Sequence, residues 1–260
     1  MVHFVGAGPG AADLITLRGQ KYIREADMII YAGSLVNPEL LEEAKSDCIL
    51  HNSAKMTLEE VVEKLEWGDG QGMEMVRLHT GDPSLYGAVR EQMDRLEEKN
   101  IPYDSCPGVS SFCGAASSLN LEYTLPEVSQ SLVITRMAGR TDVPEKESIE
   151  SFAAHQASMA IFLSAGMLGE LAGRLVAGGY REDTPAAIVY KATWEEEIKI
   201  VCTVGELEEK AKERGIRKTA LILVGDVIGH GEYQRSRLYH PEFSTGYRKG
   251  GVQCCANDGE

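Results

Sequence analysis

Short apolar runs alternate with helical patterns through the first half of the chain, and this alternation is what most restricts the fold. Apolar runs at 2–5, 28–31 and 75–78 are each followed by a loop and an amphipathic stretch. Such alternation predicts a largely parallel sheet covered by helices. Two apolar runs lie close together at 186–190 and 197–202 in the second half. The second sheet is therefore predicted to be mixed.

The 260 residues are enough for two modest domains. We expect an N-terminal α/β domain over 1–120 and a C-terminal α/β domain over 130–236. The stretch 121–129 has no strong periodicity and carries a proline, so it is predicted to be the linker. The segment 237–260 is predicted to be a weakly ordered tail.

Composition excludes several classes of function. The net charge of −14 argues against a nucleic-acid partner, which requires a basic face. No apolar run approaches the roughly 20 residues of a membrane helix, so no membrane partner is expected. The chain begins directly in a strand pattern without a basic, apolar leader, which makes the cytoplasm the expected location.

The six cysteines include no C-x-x-C pair, and no histidine lies at ligand spacing from them. They are predicted to be reduced and to hold no metal. Cys254 and Cys255 lie in a Gly-rich polar end, and no function is assigned to them.

Three loops after predicted strands are rich in Gly, Pro, Ser and Asp, at 6–10, 81–84 and 107–111. Ligand sites in open α/β sheets lie at the carboxyl ends of the strands, so functional groups are expected here. Asp13 stands where an N-cap is expected for a helix over 14–26.

The first of these loops fits the dinucleotide pattern G-x-G-x-x-[GA] at 6–11. That fingerprint also requires an acid after the second strand, and Asp27 lies before that strand. No Gly-Lys-Ser/Thr follows the glycines, which excludes a P-loop. Neither a nicotinamide cofactor nor a nucleoside triphosphate is predicted.

Three motifs together resemble a known family: Gly-x-Gly-Pro-Gly at 6–10, Thr-Gly-Asp-Pro at 80–83 and Pro-Gly-Val-Ser-Ser at 107–111. They are similar to those of the tetrapyrrole methylases, and the resemblance extends over 1–235. It implies two α/β domains, an active site in the cleft between them, S-adenosylmethionine as methyl donor and a homodimer.

Further segments resemble one branch of that family, at 31–36, 80–87, 136–145 and 190–194. The branch methylates C-11 of precorrin-4 or cobalt-precorrin-4 in cobalamin synthesis. The resemblance does not decide whether the substrate carries cobalt. The alternatives are a methylase for another tetrapyrrole position and a non-catalytic module that binds a nucleotide or porphyrinoid.

The resemblance also implies which residues form the site. Expected cofactor contacts are Thr80, Gly81, Asp82, Ser110, Ser111, Leu163, Ala187, Thr219 and Ala220. Expected substrate contacts are Gly8, Pro9, Tyr31, Ser34, Arg136, Arg140 and Lys191. The glycines of the first loop are expected to leave room for a flat macrocycle beside the methyl donor.

Several of these roles have a simpler alternative. Asp82 precedes Pro83, and an Asx turn would explain it without any ligand. Arg136 and Arg140 suit the carboxylates of a tetrapyrrole through bidentate pairing, but surface ion pairs are the alternative.

No protein nucleophile is needed for methyl transfer to a conjugated macrocycle carbon, and none is predicted. His79, Tyr86 and Glu195 are weak candidates for a base that removes a proton. A packing role is the alternative for His79, because it ends a buried strand.

Overall fold

Two five-stranded sheets form the frame of the computed structural model, which describes residues 1–229, 231, 233 and 236–251. The first sheet has the order β3-β2-β4-β1-β5, and every neighbouring pair is parallel. Its strands are β1 Val2–Gly6, β2 Met28–Tyr31, β3 Ile49–Asn52, β4 Met75–His79 and β5 Tyr103–Cys106. The parallel sheet predicted from the alternating pattern is therefore confirmed.

Helices cover both faces of the first sheet: α1 Leu17–Glu25, α2 Glu39–Glu42, α3 Leu58–Gly70 and α4 Arg90–Glu98. One core lies under α1 and α2, and a second lies under α3 and α4. The residues Thr57 and Glu60 form a capping box that begins α3, a pattern readable from their spacing of three. The helix continues through Gly68 to Gly70. A Cβ on Gly68 would lie 2.4 Å from Met75 Sδ and 2.6 Å from Met28 Cε, so glycine lets these methionines pack against the helix.

The first helix starts later than predicted. Residues Ala12–Leu14 form a separate 3-10 turn, and Asp13 caps nothing. Thr16 is the N-cap of α1, because its hydroxyl accepts a hydrogen bond from the Gly19 N–H at 3.1 Å. The predicted helix over 14–26 is thus divided in two.

The second sheet has the order β6-β7-β10-β8-β9 and is mixed, as predicted. Only β6 and β7 are parallel, and the other pairs are antiparallel. Its strands are β6 Leu132–Arg136, β7 Ser158–Phe162, β8 Pro185–Tyr190, β9 Ile198–Thr203 and β10 Ala220–Val224. Helices α6 Ile149–Ala153, α7 Leu168–Ala177 and α8 Leu207–Glu213 pack on one face.

Helix α5 Ser111–Leu119 covers the other face of the second sheet. Its Ala115 packs with Ala160 and Ala187, and all three side chains are fully buried. The chain that follows joins this core, because the Tyr123 hydroxyl donates to Phe112 O at 2.7 Å. The predicted boundary at residue 120 would therefore separate α5 from the sheet that it covers.

Residues 236–251 form turns around one arginine, since Arg248 Nη2 donates to Leu238 O at 2.7 Å and to His240 O at 2.9 Å. Cys48, Cys106, Cys113 and Cys202 are free thiols. Cys254 and Cys255 lie outside the described residues. Within the described ranges, no helix has the length and apolar character needed to cross a membrane.

The loops after β1, β4 and β5 contact one another through their backbones. Gly81 N donates to Gly8 O at 2.8 Å, and Gly8 N donates to Gly81 O at 3.3 Å. A Cβ on Gly108 would lie 2.1 Å from Gly81 O and 2.7 Å from Gly6 Cα. No side chain fits between the loops at Gly108. Gly8 and Gly81 have φ values of +82° and +64°, a conformation that favours glycine.

We expect Gly108→Ala to lower the free energy of unfolding by about 2–3 kcal/mol, since the methyl group must push two backbones apart. Gly173→Ala is the matched control. Gly173 lies in α7 with no atom within 4 Å of a built Cβ, so alanine should stabilise the helix by up to ~1 kcal/mol. Urea denaturation measures both changes, and equal stabilities of the two variants would contradict the prediction.

Candidate active site

Asp82 ties two loops of the first sheet together. One carboxylate oxygen accepts from the Ser84 N–H at 2.8 Å, which forms an Asx turn. The other accepts from the Gly108 N–H at 2.9 Å. Burial raises the pKa of this carboxyl, but the hydrogen bonds from Ser84 and Gly108 outweigh it and hold the pKa below its usual range. Asp82 is thus ionised and builds the loop, and its contact with a cofactor stays a prediction.

Helix α5 begins directly beside this loop. Its N-cap is Ser110, whose side chain makes no capping hydrogen bond. A Cβ on Gly81 would lie 3.6 Å from Ser110 Cα and 3.7 Å from Ser111 N. The N–H groups in the first turn of α5 therefore stand next to Thr80, Gly81 and Asp82, where a polar ligand can accept from them.

Five of the predicted residues meet at one edge of the second sheet. Arg136, Leu163 and Lys191 stand at the ends of β6, β7 and β8. Thr219 and Ala220 stand at the start of β10, which runs antiparallel to β7 and β8. The Lys191 N–H donates to Thr219 O at 2.9 Å and links two of these strand ends.

Backbone strain is concentrated at this same edge. Leu163, Lys191 and Thr219 have φ values of +53°, +47° and +58°. Such left-handed conformations in non-glycine residues cost about 1–3 kcal/mol each and are found most often at functional sites. Leu163 also exposes 71% of its surface. An exposed leucine in a strained turn is consistent with a surface shaped for a ligand.

Two contacts connect this edge with the loops of the first sheet. The Tyr86 ring packs on Phe162 with their centroids 5.3 Å apart. Elsewhere, Trp194 Nε1 donates to Pro9 O at 3.1 Å, and the Ala11 N–H donates to Thr193 Oγ1 at 3.0 Å. These contacts bring the loops after β1 and β4 against this edge of the second sheet, and the surface that the two sides border is called the cleft.

The three predicted cationic residues differ in their partners. The Arg136 guanidinium donates to the carbonyl oxygens of Met137, Thr141 and Asp142 at 2.7–3.1 Å and thereby holds the loop after β6. Lys191 pairs with Glu196 at 3.0 Å. Arg140 is exposed, and within the described residues no hydrogen bond or ion pair is found for its guanidinium.

The first glycine loop is buried. A Cβ on Gly8 would lie 3.2 Å from Leu14 O, and a Cβ on Gly10 would lie 2.3 Å from the Trp194 ring. Pro9 packs beside Gly114 of α5. These glycines therefore let the chain pack closely on itself. Contact of Gly8 and Pro9 with a flat substrate stays a prediction.

Three other predicted residues lie apart from this edge or cannot be placed in full. Ala187 is fully buried in the middle of β8 against α5, so its side chain does not reach the edge with the others. Tyr31 ends β2, is partly buried, and its carbonyl accepts from Ser53 Oγ at 3.0 Å. Ser34 lies in a 3-10 turn, and its side chain is outside the part that the structure describes.

The candidate bases are poorly suited to that role. Burial and the neighbouring Arg77 guanidinium lower the pKa of His79 to about 3, and its buried Nε2 makes no hydrogen bond. Burial raises the pKa of Tyr86, which disfavours the phenolate. Glu195 lines a groove of about 410 Å³ together with Asp13 and Glu39. These carboxylates would repel an anionic substrate.

Phe162 and Thr193 belong to the cleft but were not predicted. Phe162 is a partly buried residue at the end of the apolar strand β7, and its residue type does not distinguish it from the buried residues before it. Thr193 has φ +68° and accepts from a residue 182 positions away. Neither the positive φ of Thr193 nor its long-range hydrogen bond can be inferred from the residues next to it in the sequence.

Among the described residues, no group of His, Cys, Asp or Glu is arranged to hold a metal ion.

Comparisons with known proteins agree with this architecture. The model of the tetrapyrrole (corrin/porphyrin) methylases matches residues 1–208. Cobalt-precorrin-4 C(11)-methyltransferase of Methanocaldococcus jannaschii is 51% identical, over 95% of this chain and 96% of that protein. Precorrin-4 C(11)-methyltransferase of Pseudomonas aeruginosa is 43% identical, over 96% of this chain and 99% of that protein.

A solved structure shares the fold. The X-ray structure of a cobalt-precorrin-4 methyltransferase superposes with a TM-score of 0.86 and 39% identity, and the match covers 87% of this chain and 95% of that one. The predicted two-domain α/β fold is thereby confirmed. The chain belongs to the tetrapyrrole methylases, as its three loop motifs predicted.

Proposed function

We propose that this protein transfers a methyl group from S-adenosylmethionine to C-11 of precorrin-4 or cobalt-precorrin-4 during corrin-ring synthesis. The observation that carries the proposal is the 51% identity to a cobalt-precorrin-4 C(11)-methyltransferase over nearly the whole of both chains. Cobalt, where present, belongs to the substrate.

The residues around the cleft fit S-adenosylmethionine, which when bound supplies an electrophilic methyl group on a positively charged sulfur. A free anion beside that sulfur would stabilise the donor and slow the transfer. Asp82 already has its charge engaged by Ser84 and Gly108. The residues that we propose to hold the donor are Thr80, Gly81, Asp82, Ser110, Ser111, Leu163, Thr219 and Ala220.

The main task of the protein is then to align donor and acceptor. The acceptor carbon belongs to a conjugated macrocycle and needs no protein nucleophile. Correct orientation supplies on the order of 7–11 kcal/mol to such a reaction. We propose that Arg140 binds substrate carboxylates, because it stands free at the loop after β6. Arg136 contributes by holding that loop through three carbonyl oxygens.

Incubation with methyl-labelled S-adenosylmethionine and each of the two macrocycles tests the reaction. The expected product is one methyl group heavier by mass spectrometry, with the label at C-11 by NMR. Label at another carbon would favour a different tetrapyrrole methylase. Calorimetric binding of S-adenosylhomocysteine without any transfer would favour a binding module. Binding of NADH in its place would overturn both enzyme assignments.

We expect Arg140→Ala to raise KM for the macrocycle about tenfold, since a charge-assisted hydrogen bond is lost. Affinity for S-adenosylhomocysteine should stay within about twofold. Arg174→Ala is the control, because Arg174 on α7 pairs with Glu150 on α6 and with Glu170 on α7. Equal loss of both affinities in Arg140→Ala at unchanged stability would count against the role.

We also propose a cytoplasmic homodimer, as the family resemblance implies. An edge strand supports the dimer: among the described residues, β9 has no strand on one side, and its Val201 is 62% exposed. Edge strands of this kind pair readily with another chain.

Light scattering should give twice the chain mass of 28.4 kDa, and Val201→Lys should shift the protein toward the monomer. A wild-type monomer would contradict the proposal.

A further inference from the structure

Tyr86 reaches the second sheet from a strained loop between β4 and α4. Tyr86 and Ala88 have φ values of +57° and +48°, although neither is glycine. Gly87 lies between them, and a Cβ there would be 2.3 Å from Pro83 O. Such a conformation persists only where surrounding groups enforce it.

A buried pair of side chains holds this loop from the first sheet. Gln92 Nε2 donates to Ala88 O at 2.9 Å. The oxygen of the same amide accepts from Arg77 Nε at 2.9 Å. Arg77 Nη1 donates in turn to Ile30 O at 3.1 Å. Hydrogen bonds therefore run from β2 through Arg77 and Gln92 to the strained loop.

Arg77 is a costly residue for this place. Both Arg77 and Gln92 are only 6% exposed, and burial lowers the pKa of the guanidinium to about 10. Within the described ranges, no carboxylate forms an ion pair with Arg77. A buried charge without a counter-ion is unfavourable, and an apolar residue would fill the strand at lower cost. A role in orienting the Gln92 side chain would explain why an arginine occupies this buried position.

At its other end the loop meets the cleft. The Tyr86 ring packs on Phe162, which directly precedes the exposed Leu163. The Arg136 guanidinium is close enough to lower the pKa of Tyr86, against the larger effect of burial. Tyr86 thus stands between the proposed donor contacts and the loop of proposed substrate contacts.

We infer that Arg77 and Gln92 are positioning residues that act through Tyr86: they hold the loop so that its ring spans the cleft to Phe162. The inference rests on the proposed function, because the span sets the site into which donor and macrocycle bind. When the loop is released, only a fraction of molecules has the binding-competent arrangement. Apparent affinity then falls by that fraction, while the rate in the bound complex is retained.

Gln92→Glu separates this role from packing. The carboxylate still accepts from Arg77 and gives it a counter-charge, but it no longer donates to Ala88 O. We expect unchanged or higher thermal stability. Amide hydrogens in residues 84–89 should exchange about tenfold faster, as one hydrogen bond is lost. KM for the macrocycle should rise about tenfold with kcat nearly constant.

Tyr86 variants identify the route of the effect. Tyr86→Ala should raise KM as Gln92→Glu does, and the double variant should be no worse than Tyr86→Ala alone. Tyr86→Phe keeps the ring contact with Phe162 and should raise KM much less than Tyr86→Ala does. Additive effects, unchanged exchange in Gln92→Glu, or a Tyr86→Phe variant as impaired as Tyr86→Ala would each overturn the inference.

The exchange measurement needs no ligand, so it decides whether Gln92 holds the loop even if the proposed function fails. That separate failure would be seen as a wild-type protein that neither binds S-adenosylhomocysteine nor methylates either macrocycle.

Discussion

The close backbone contact between the loops after β1, β4 and β5 is the constraint on which the rest of the site depends. Gly8 and Gly81 exchange two hydrogen bonds, and Gly108 lies so close to Gly81 that no side chain fits. Asp82 then joins the second and third loops through the Gly108 N–H. Because these loops are fixed, the start of α5 and the strained turn at Tyr86 have a rigid base.

The opposite side of the cleft is built on a different principle. The first sheet supplies loops held by hydrogen bonds, whereas the second supplies strand ends held in strained conformations at Leu163, Lys191 and Thr219. Two cations at this edge already have partners: Arg136 donates to carbonyl oxygens, and Lys191 forms an ion pair with Glu196. The arrangement suits a reaction that needs alignment more than proton transfer.

Local signals predicted much of this fold, and contacts distant in sequence account for what they missed. Alternating periodicity sufficed for the parallel sheet, and the capping box at Thr57 depends on residues three positions apart. The start of α1 was wrong because Asp13 and Thr16 are both suitable caps, and the adjoining loop decides between them. The left-handed conformation at Leu163 could not be predicted, because the residue is not a glycine. The burial of Ala187 depends on α5, which is distant in sequence.

Helix α5 has a consequence for how the two halves can move. It begins at the loops of the first sheet, yet its Ala115 side is sealed into the core of the second. A chain cut at residue 120 would leave an apolar sheet face bare on one fragment and an uncovered helix on the other. The two halves are therefore joined by the packing of α5 and not only by a flexible linker. Any motion that separated the two halves would have to break the packing of α5 against the second sheet.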